Sequence, residues 1–172
     1  MVLGIALLLV TTAQAPQAGM SATIGSVRGG HDIAKSWLSK AAEQVSEENY
    51  AFKPTPEVRS MGEVFAHVAD ANFMICGIVS DAKPSMTAIE KTKKTKADIT
   101  AALAESFKFC EAAFAGLTDA NANETVKFFL PGTHTRIGVM AFNNAHQFEH
   151  YGNIVTYMRM KKMVPPSSAG GM

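Results

Sequence analysis

The sequence predicts an all-α fold, a four-helix bundle. Four segments carry apolar residues at helical spacing, two of them begin with a helix-capping sequence, and the alternation typical of strands is nearly absent. The chain has 172 residues, 47% of them hydrophobic, which suits a single domain with a full core. The long connection before the fourth helix leaves room for a crossover topology.

The first helix is predicted from about residue 26 to residue 47. Its apolar or aromatic side chains recur every four residues and form the stripe expected to face the core: Ile33, Trp37, Ala41 and Val45. The proline-containing stretch 52–56 ends this helix and forms a linker, because proline removes a backbone donor and restricts the chain.

The second helix is predicted to begin at a capping box and to run to about Ser80. The Ser60 hydroxyl can accept from the Glu63 amide, while the Glu63 carboxylate reaches back to the amide of Ser60. The apolar stripe that follows has helical spacing: Val64, Val68, Ala71, Ile75 and Ile78. His67 lies on this stripe. Residues 81–94 are polar, contain Pro84, and are predicted to form a loop.

The third and fourth helices are separated by an irregular segment, residues 118–136. The third helix is predicted to begin near Thr95, with Asp98 completing a second capping box, and the fourth to span about residues 137–161 with its cap near Thr135. Between them, residues 126–130 could form a short strand or an extended cover. Their core stripes are Ile99, Leu103, Phe107, Cys110, Phe114 and Leu117 in the third, and Phe142, His146, His150 and Ile154 in the fourth.

The two ends of the chain have compositions unlike the bundle, which is predicted to span residues 26–163. Residues 1–15 form an apolar run that ends in Ala13-Gln14-Ala15, the small-x-small pattern of a signal-peptidase site, and the run is too short to span a bilayer. It lacks the usual basic start, so a loosely held apolar tail is the alternative. We expect export, with a periplasmic protein rather than a cytoplasmic one. Residues 16–25 are expected to be flexible, and the Pro-, Ser- and Gly-rich residues 164–172 disordered.

Charge and cysteine content narrow the classes of partner. The formal net charge is +1, and the lysine-rich stretch 91–96 is typical of a solvated loop and helix start, so a nucleic-acid partner is not expected. Cys76 and Cys110 occupy apolar positions of different helices. They could pair in an exported protein or remain two buried thiols, and the sequence does not supply the distance that decides.

Three histidines on the predicted core stripes indicate a metal site. His146 and His150 are four residues apart and share one face of the fourth helix, so both imidazoles can point at one spot. If His67 faces that spot from the second helix, the three hold a divalent metal and leave coordination positions open. The alternative is that each ring bonds to a backbone carbonyl. Gln147 stands where the zinc-protease motif requires glutamate, so that class is excluded.

Several polar residues near these histidines are candidates for supporting roles. Asp70 lies one turn beyond the first histidine, where it could orient a ligand imidazole or simply face solvent. Asn143 and Gln147 could orient a substrate, although such amides are more often half-buried residues of a helix surface. The remaining histidines, His31 and His134, are expected at the surface or in loops.

Two stretches together resemble the DinB/YfiT-like metalloenzymes over roughly residues 28–166. The stretch 146–166 carries an H-x-x-x-H-x-G pattern, an aromatic-x-Arg and a terminal Pro-Pro, and the stretch 59–68 is similar to the family's capped helix with the first ligand. The resemblance implies a bundle in up-down-down-up order. It also implies a divalent metal, preferably zinc or nickel, held by the three histidines, with water or substrate in the remaining positions.

The resemblance implies a metal-dependent transferase or hydrolase that acts on a small molecule, since family members include transferases that use a low-molecular-weight thiol. Two other interpretations stay open: an exported bundle that binds metal or a small ligand without turnover, and a structural bundle whose histidines form an unmetallated polar core. Exposed apolar stripes leave room for a homodimer. After removal of the signal segment, no stable membrane span is expected.

Overall fold

The computed structural model describes residues 21–169, and in this part of the chain four long helices form a bundle. The long helices are α1 (Ala22–Gln44), α3 (Met61–Ser80), α5 (Lys96–Ala115) and α6 (Arg136–Met160). The short ones are α2 (Glu47–Tyr50), α4 (Ile89–Thr92) and α7 (Pro166–Ala169). Two short antiparallel strands, β1 (Thr125–Val126) and β2 (His134–Thr135), precede α6. The signal segment predicted at residues 1–15 lies outside the described residues.

The starts of the three later long helices are determined by side-chain caps. The Ser60 hydroxyl accepts from the Glu63 amide at 3.2 Å, and the Glu63 carboxylate accepts from the Ser60 amide at 2.7 Å, which confirms the capping box. Thr95 and Thr135 each accept from an amide three residues later, at 3.1 and 3.2 Å. Each cap satisfies a backbone donor that the first helical turn would leave unpaired.

The long helices run up, down, down and up. Contacts that advance together along two helices mark a parallel pair: Asn72 bonds to Ser106, and one turn later Cys76 is linked to Cys110, so α3 and α5 are parallel. Two pairs of contacts run in opposite senses along the chain and show that α6 is antiparallel to α3: His67–His146 and Asn72–Asn143. Two others show that α5 is antiparallel to α1: Lys35–Glu111 and Glu43–Lys96. The predicted topology is confirmed.

The parallel arrangement of α3 and α5 forces residues 81–95 to travel back along α3. Short helix α4 lies within this crossover and is held against α3 by Asp70, whose two carboxylate oxygens accept from the amides of Ile89 and Glu90 at 2.8 and 2.9 Å. A carboxylate at the first turn of a helix satisfies amides that have no partner within the helix. The crossover thereby places Glu90 beside the middle of α3.

Helix α3 is the central helix of the bundle. By length and hydropathy alone it could cross a membrane, but 67% of its most apolar window is buried, as in a core helix of a globular protein. The core around it is closed by large apolar side chains from all four long helices: Leu38, Phe65, Phe73, Phe107, Phe114, Met140 and Ile154. Such packed side chains supply most of the free energy that holds a helix bundle together.

The stripe predicted for α1 is only partly buried. Ile33 is 47% exposed, whereas the buried positions are Ile24, His31, Ala34, Leu38, Ala41 and Ala42. A step of four residues turns 400° around a helix and so drifts by about 40° per turn, which carries a strict four-residue series from solvent into the core. The true core face alternates steps of three and four residues.

The expectations for both chain ends need correction within the described residues. Residues 22–25 begin α1 and bury Ile24, so this part of the segment expected to be flexible is helical. Residues 164–169 are ordered rather than disordered: the amide of Ser167 donates to the Tyr151 hydroxyl at 2.9 Å, and the Gln44 side chain donates to the Val164 carbonyl at 3.0 Å. Composition predicted disorder here because it reflects only the local sequence, whereas these segments are held by contacts with distant parts of the chain.

Cys76 and Cys110 form a disulfide between α3 and α5, with Cα atoms 5.2 Å apart. The sequence left this pairing open. Parallel helices in matching register bring the two positions together, and that register is a property of the bundle. The disulfide is buried, contains both cysteines of the chain, and has the Nδ2 atom of Asn143 3.6 and 3.7 Å from its two sulfur atoms.

Candidate metal centre

His67, His146 and His150 converge near the middle of the α3–α6 contact, between the Arg59–Tyr157 and Val79–Arg136 hydrogen bonds. The Nε2 atom of His146 lies 3.2 Å from that of His67 and 3.0 Å from that of His150. One ligand atom from each ring falls within 4.8 Å of the others. The i, i+4 spacing on α6 and the antiparallel approach of α3 together produce this convergence. The three residues predicted as ligands are therefore brought together.

The nitrogen separations match a group of imidazoles around one ion. For imidazole–metal bonds of about 2.0–2.1 Å, such separations correspond to N–metal–N angles of roughly 90–105°. These angles belong to the pairs His67–His146 and His146–His150, and three protein ligands leave at least one position of a four-coordinate ion open. The cluster could therefore hold a metal ion with free coordination positions, the arrangement used by catalytic rather than structural sites.

All three imidazoles favour the neutral state that binds metals. Burial, followed by the adjacent His150, lowers the pKa of His146 to about 4. Burial and the neighbouring His67 likewise lower the pKa of His150 to about 4. Burial and the positive charge of Arg59 lower the pKa of His67. At neutral pH each ring then offers a lone pair rather than a second proton.

Glu90 is the carboxylate that contacts a candidate ligand, and it was missed at the level of sequence. Its Oε2 lies 3.4 Å from Nδ1 of His67, while its Oε1 accepts from Nε of Arg59 at 2.9 Å. A carboxylate on the far nitrogen of a ligand histidine selects the tautomer whose Nε2 carries a lone pair. The contact could have been predicted only from the topology. A crossover that runs back along α3 carries its acidic residues past His67, and Glu90 is one of them.

Asp70, expected to orient a ligand imidazole or to face solvent, does neither. Its carboxylate is taken up by the two amides at the start of α4. The first amides of α4 have no partner within the helix, so the Asp70 carboxylate bonds to them rather than to an imidazole. Asp70 thus positions the backbone of Glu90, and only through it the ring of His67.

Replacing Glu90 with glutamine is expected to lower the affinity for zinc about tenfold, within the range found for carboxylates behind a ligand histidine. The amide keeps the size of the side chain but loses the negative charge that supports His67. Competition titration against a chromogenic chelator measures the effect. Glu149→Gln is the matched control, since Glu149 is exposed and adjacent to His150 but makes no described contact with a ligand ring. Equal losses in both variants would contradict a specific role for Glu90.

Asn143 and Gln147 do not reach the histidine cluster, contrary to the expectation that they orient a substrate. Both are fully buried and donate to Oδ1 of Asn72, at 3.2 and 2.7 Å. Asn72 in turn donates to the hydroxyl of Ser106 at 3.1 Å. These amides therefore belong to a polar network inside the bundle. Asn143 precedes His146 by three residues and Gln147 follows it by one, so both side chains point away from the direction of the His146 ring.

His31 also belongs to this buried network and is not a surface residue. It is fully buried, its Nδ1 lies 3.3 Å from Nε2 of Gln147, and its ring packs against Phe107 and Phe114. Burial lowers the pKa of His31, which keeps the ring neutral. His134 lies in β2 outside the cluster, with Nε2 3.2 and 3.1 Å from the carbonyls of Leu130 and Pro131. Neither histidine approaches the candidate ligands.

Two cavities flank the histidine cluster. One, of about 410 Å³, has His67 and His146 in its wall and is otherwise mainly apolar; we call it the apolar chamber. Its other lining residues are Asp70, Ala71, Met74, Ile75, Phe129 and Phe142. The second, of about 580 Å³, contains His150 and is mostly polar; we call it the polar chamber, and its charged lining residues are Glu57, Arg59, Glu90 and Glu149. A bound ion would be reached from both sides.

The comparisons with known proteins agree with this architecture. Residues 32–154 match the family model described as the DinB superfamily. A DinB-like protein from Bacillus cereus has a similar structure, with a TM-score of 0.74 at 17% identity over 87% of this chain and 97% of that one. No curated protein matches the sequence at the level from which common ancestry would be inferred.

Two further solved structures share the fold. A DinB-like protein from Bacillus subtilis has a TM-score of 0.66 at 16% identity, over 81% of this chain and 93% of that one. A conserved protein from Enterococcus faecalis has a TM-score of 0.67 at 14% identity, over 83% and 98% of the two chains. At these identities the likeness concerns the fold, and the function has to be argued from the site.

Proposed function

The chain belongs to the DinB superfamily, and from that premise we propose that it is a metal-dependent enzyme, a transferase or hydrolase that acts on a small molecule. The observation that carries the proposal is the convergence of His67, His146 and His150 between two cavities, with Nε2 of His146 3.2 Å from that of His67 and 3.0 Å from that of His150. A purely structural cluster would be closed on all sides, because a structural metal needs four protein ligands.

The three histidines would hold the ion through Nε2, and zinc or nickel fits three neutral imidazoles. A divalent metal there would supply Lewis acidity and would lower the pKa of a water or thiol that enters the open position. Glu90 would keep the proton of His67 on Nδ1. The Nδ2 atom of Asn153 lies 3.4 Å from Nδ1 of His150, and turning this amide by 180° would present its oxygen and hold the proton of His150 on Nδ1 in the same way.

We further propose that the protein is exported. Two features support this: the apolar run that ends in Ala13-Gln14-Ala15, and the Cys76–Cys110 disulfide, a bond that persists in oxidising compartments and is rare in the cytosol. The native protein, recovered from a periplasmic fraction, should then begin near Pro16 by mass spectrometry. An intact Met1 in the cytoplasmic fraction would overturn export and leave the metal proposal standing.

The function is tested on protein purified without a histidine tag. Elemental analysis should find close to one divalent metal per chain, and the metal-loaded protein should turn over a substrate in a screen that pairs low-molecular-weight thiols with electrophiles and includes ester and amide hydrolysis. Metal-stripped protein is the control and should be inactive. Stoichiometric metal without turnover would favour the exported binding module instead, and no retained metal after dialysis would refute both.

A further inference from the structure

The apolar chamber contains the features of a binding pocket for part of a substrate. Two imidazoles, from His67 and His146, lie at one end, and the walls are apolar side chains from α3, α6 and the segment before β2. Its volume of about 410 Å³ is within the range of small-molecule pockets, which are mainly apolar with a few convergent polar groups. The acidic side chain that lines this chamber is Asp70, and its carboxylate is already bonded to the amides of Ile89 and Glu90.

Met74 connects this chamber to a second apolar cavity. That cavity, of about 670 Å³, lies between α3 and residues 81–88, and its apolar wall includes Phe73, Ile78 and Met86. Met74 and Asp70 line both cavities, so the two cavities are neighbours on α3 and Met74 supplies apolar surface to both; we call this pair of cavities the path. The path is about as long as three helical turns, since it extends from the level of His67 past Gly77.

Large apolar side chains are exposed at this path although the bundle has a full core. Met74 is 48% exposed and Phe129 is 55% exposed. Phe129 is held in place by aromatic contacts, with ring centroids 4.1 Å from Phe128 and 6.0 Å from Phe142. Single exposed apolar residues are ordinary on a protein surface. Two beside the same concave site, next to polar groups, are typical of a site that binds an apolar ligand.

We propose that the substrate is a single-tailed amphiphile: a small molecule whose polar reacting group lies at His67 and His146 and whose alkyl or acyl tail lies in the apolar chamber and continues over Met74. The reaction at the polar group rests on the proposed function, whereas the tail site does not depend on a metal. Two neighbouring concave cavities fit a tail better than a flat protein partner, because flat partners bury broad surfaces.

The tail site is tested first on the metal-free full chain with N-phenyl-1-naphthylamine, a neutral fluorophore that brightens in apolar surroundings. We expect saturable binding that decanol displaces. Met74→Gln and Phe129→Ser should each weaken binding at least about threefold, as expected when part of an apolar contact area is lost. Met160→Gln is the matched control, because Met160 is 55% exposed on α6 away from both cavities, and it should bind as the wild type does. No binding, or equal losses in all three variants, would overturn the proposal.

The link between tail and polar head is tested on zinc-loaded protein with acetohydroxamic, hexanohydroxamic and decanohydroxamic acids. Each buried methylene is expected to tighten binding about fourfold, so calorimetry should find a steep rise in affinity with chain length that Met74→Gln reduces. Equal affinity for all three acids would overturn the tail site while leaving the proposed function intact.

Failure to take up zinc would refute the proposed function, and the fluorophore result would still decide the tail site. Loss of fluorophore binding as the chain self-associates would assign the path to a dimer contact instead.

Discussion

Replacing His146 with alanine is expected to lower the affinity for zinc by more than about 100-fold, beyond the range found for residues that only support a ligand. His146 is the central ligand, since its Nε2 lies within 3.2 Å of both other Nε2 atoms. Two remaining imidazoles on different helices cannot enclose an ion as three can. Equilibrium competition with a chelator measures the change, and circular dichroism should show unchanged helix content because the apolar core lies apart from the ring.

His134→Ala is the matched control for this prediction. His134 is also a half-buried histidine, but its ring faces the carbonyls of Leu130 and Pro131. Its removal should leave zinc affinity unchanged. If His67→Ala binds zinc as tightly as the wild type, the pair on α6 binds alone and the site across two helices is wrong. If His146→Ala itself retains full affinity, the proposed metal centre is refuted.

Removal of the Cys76–Cys110 disulfide is expected to lower the free energy of unfolding by about 3–4 kcal/mol. The two cysteines are separated by 34 positions, and the bond restricts that loop in the unfolded chain. For a domain with the usual 5–15 kcal/mol of stability, the loss is a large fraction of the total. Urea denaturation of the Cys76→Ala/Cys110→Ala double variant against the oxidised wild type measures it.

Reduction of the wild type with dithiothreitol should reproduce most of this loss and is the control for the effect of the substitutions on packing. The metal affinity of the double variant should stay close to that of the wild type, since the cysteines lie in the apolar part of the α3–α5 contact, two or more turns from His67. Two free thiols in denatured protein purified without reductant would refute the disulfide itself and remove one support for export.

Local sequence signals predicted the helices well because they act through near neighbours. Ser60, Thr95 and Thr135 each cap an amide three residues ahead, so the starts of α3, α5 and α6 can be read from a few letters. The i, i+4 pair His146 and His150 follows from the same regularity. Placing His67 opposite them required one further premise, the family order of the helices.

Register was predicted less well, and α1 shows why. A four-residue series on Ile33 and Trp37 drifts around the helix, so Ile33 ends in solvent. The same drift had less effect on the prediction for α6. Its four-residue series begins at the half-buried Phe142 and enters the core by His150. His31 was misplaced for a related reason: a polar ring was assigned to the surface, although the Gln147 amide contacts its Nδ1 inside the core.

The sequence by itself determined the all-α class, the caps that begin three long helices, and the pair His146 and His150 on one face of α6. Only the tertiary structure decided that Glu90 rather than Asp70 contacts His67, that Asn143 and Gln147 lie inside the core, and that the cysteines pair. The physical reason is distance along the chain. Caps and helix faces depend on residues three or four apart. These contacts join residues nineteen or more positions apart and depend on how α3 packs against α5, α6 and the crossover.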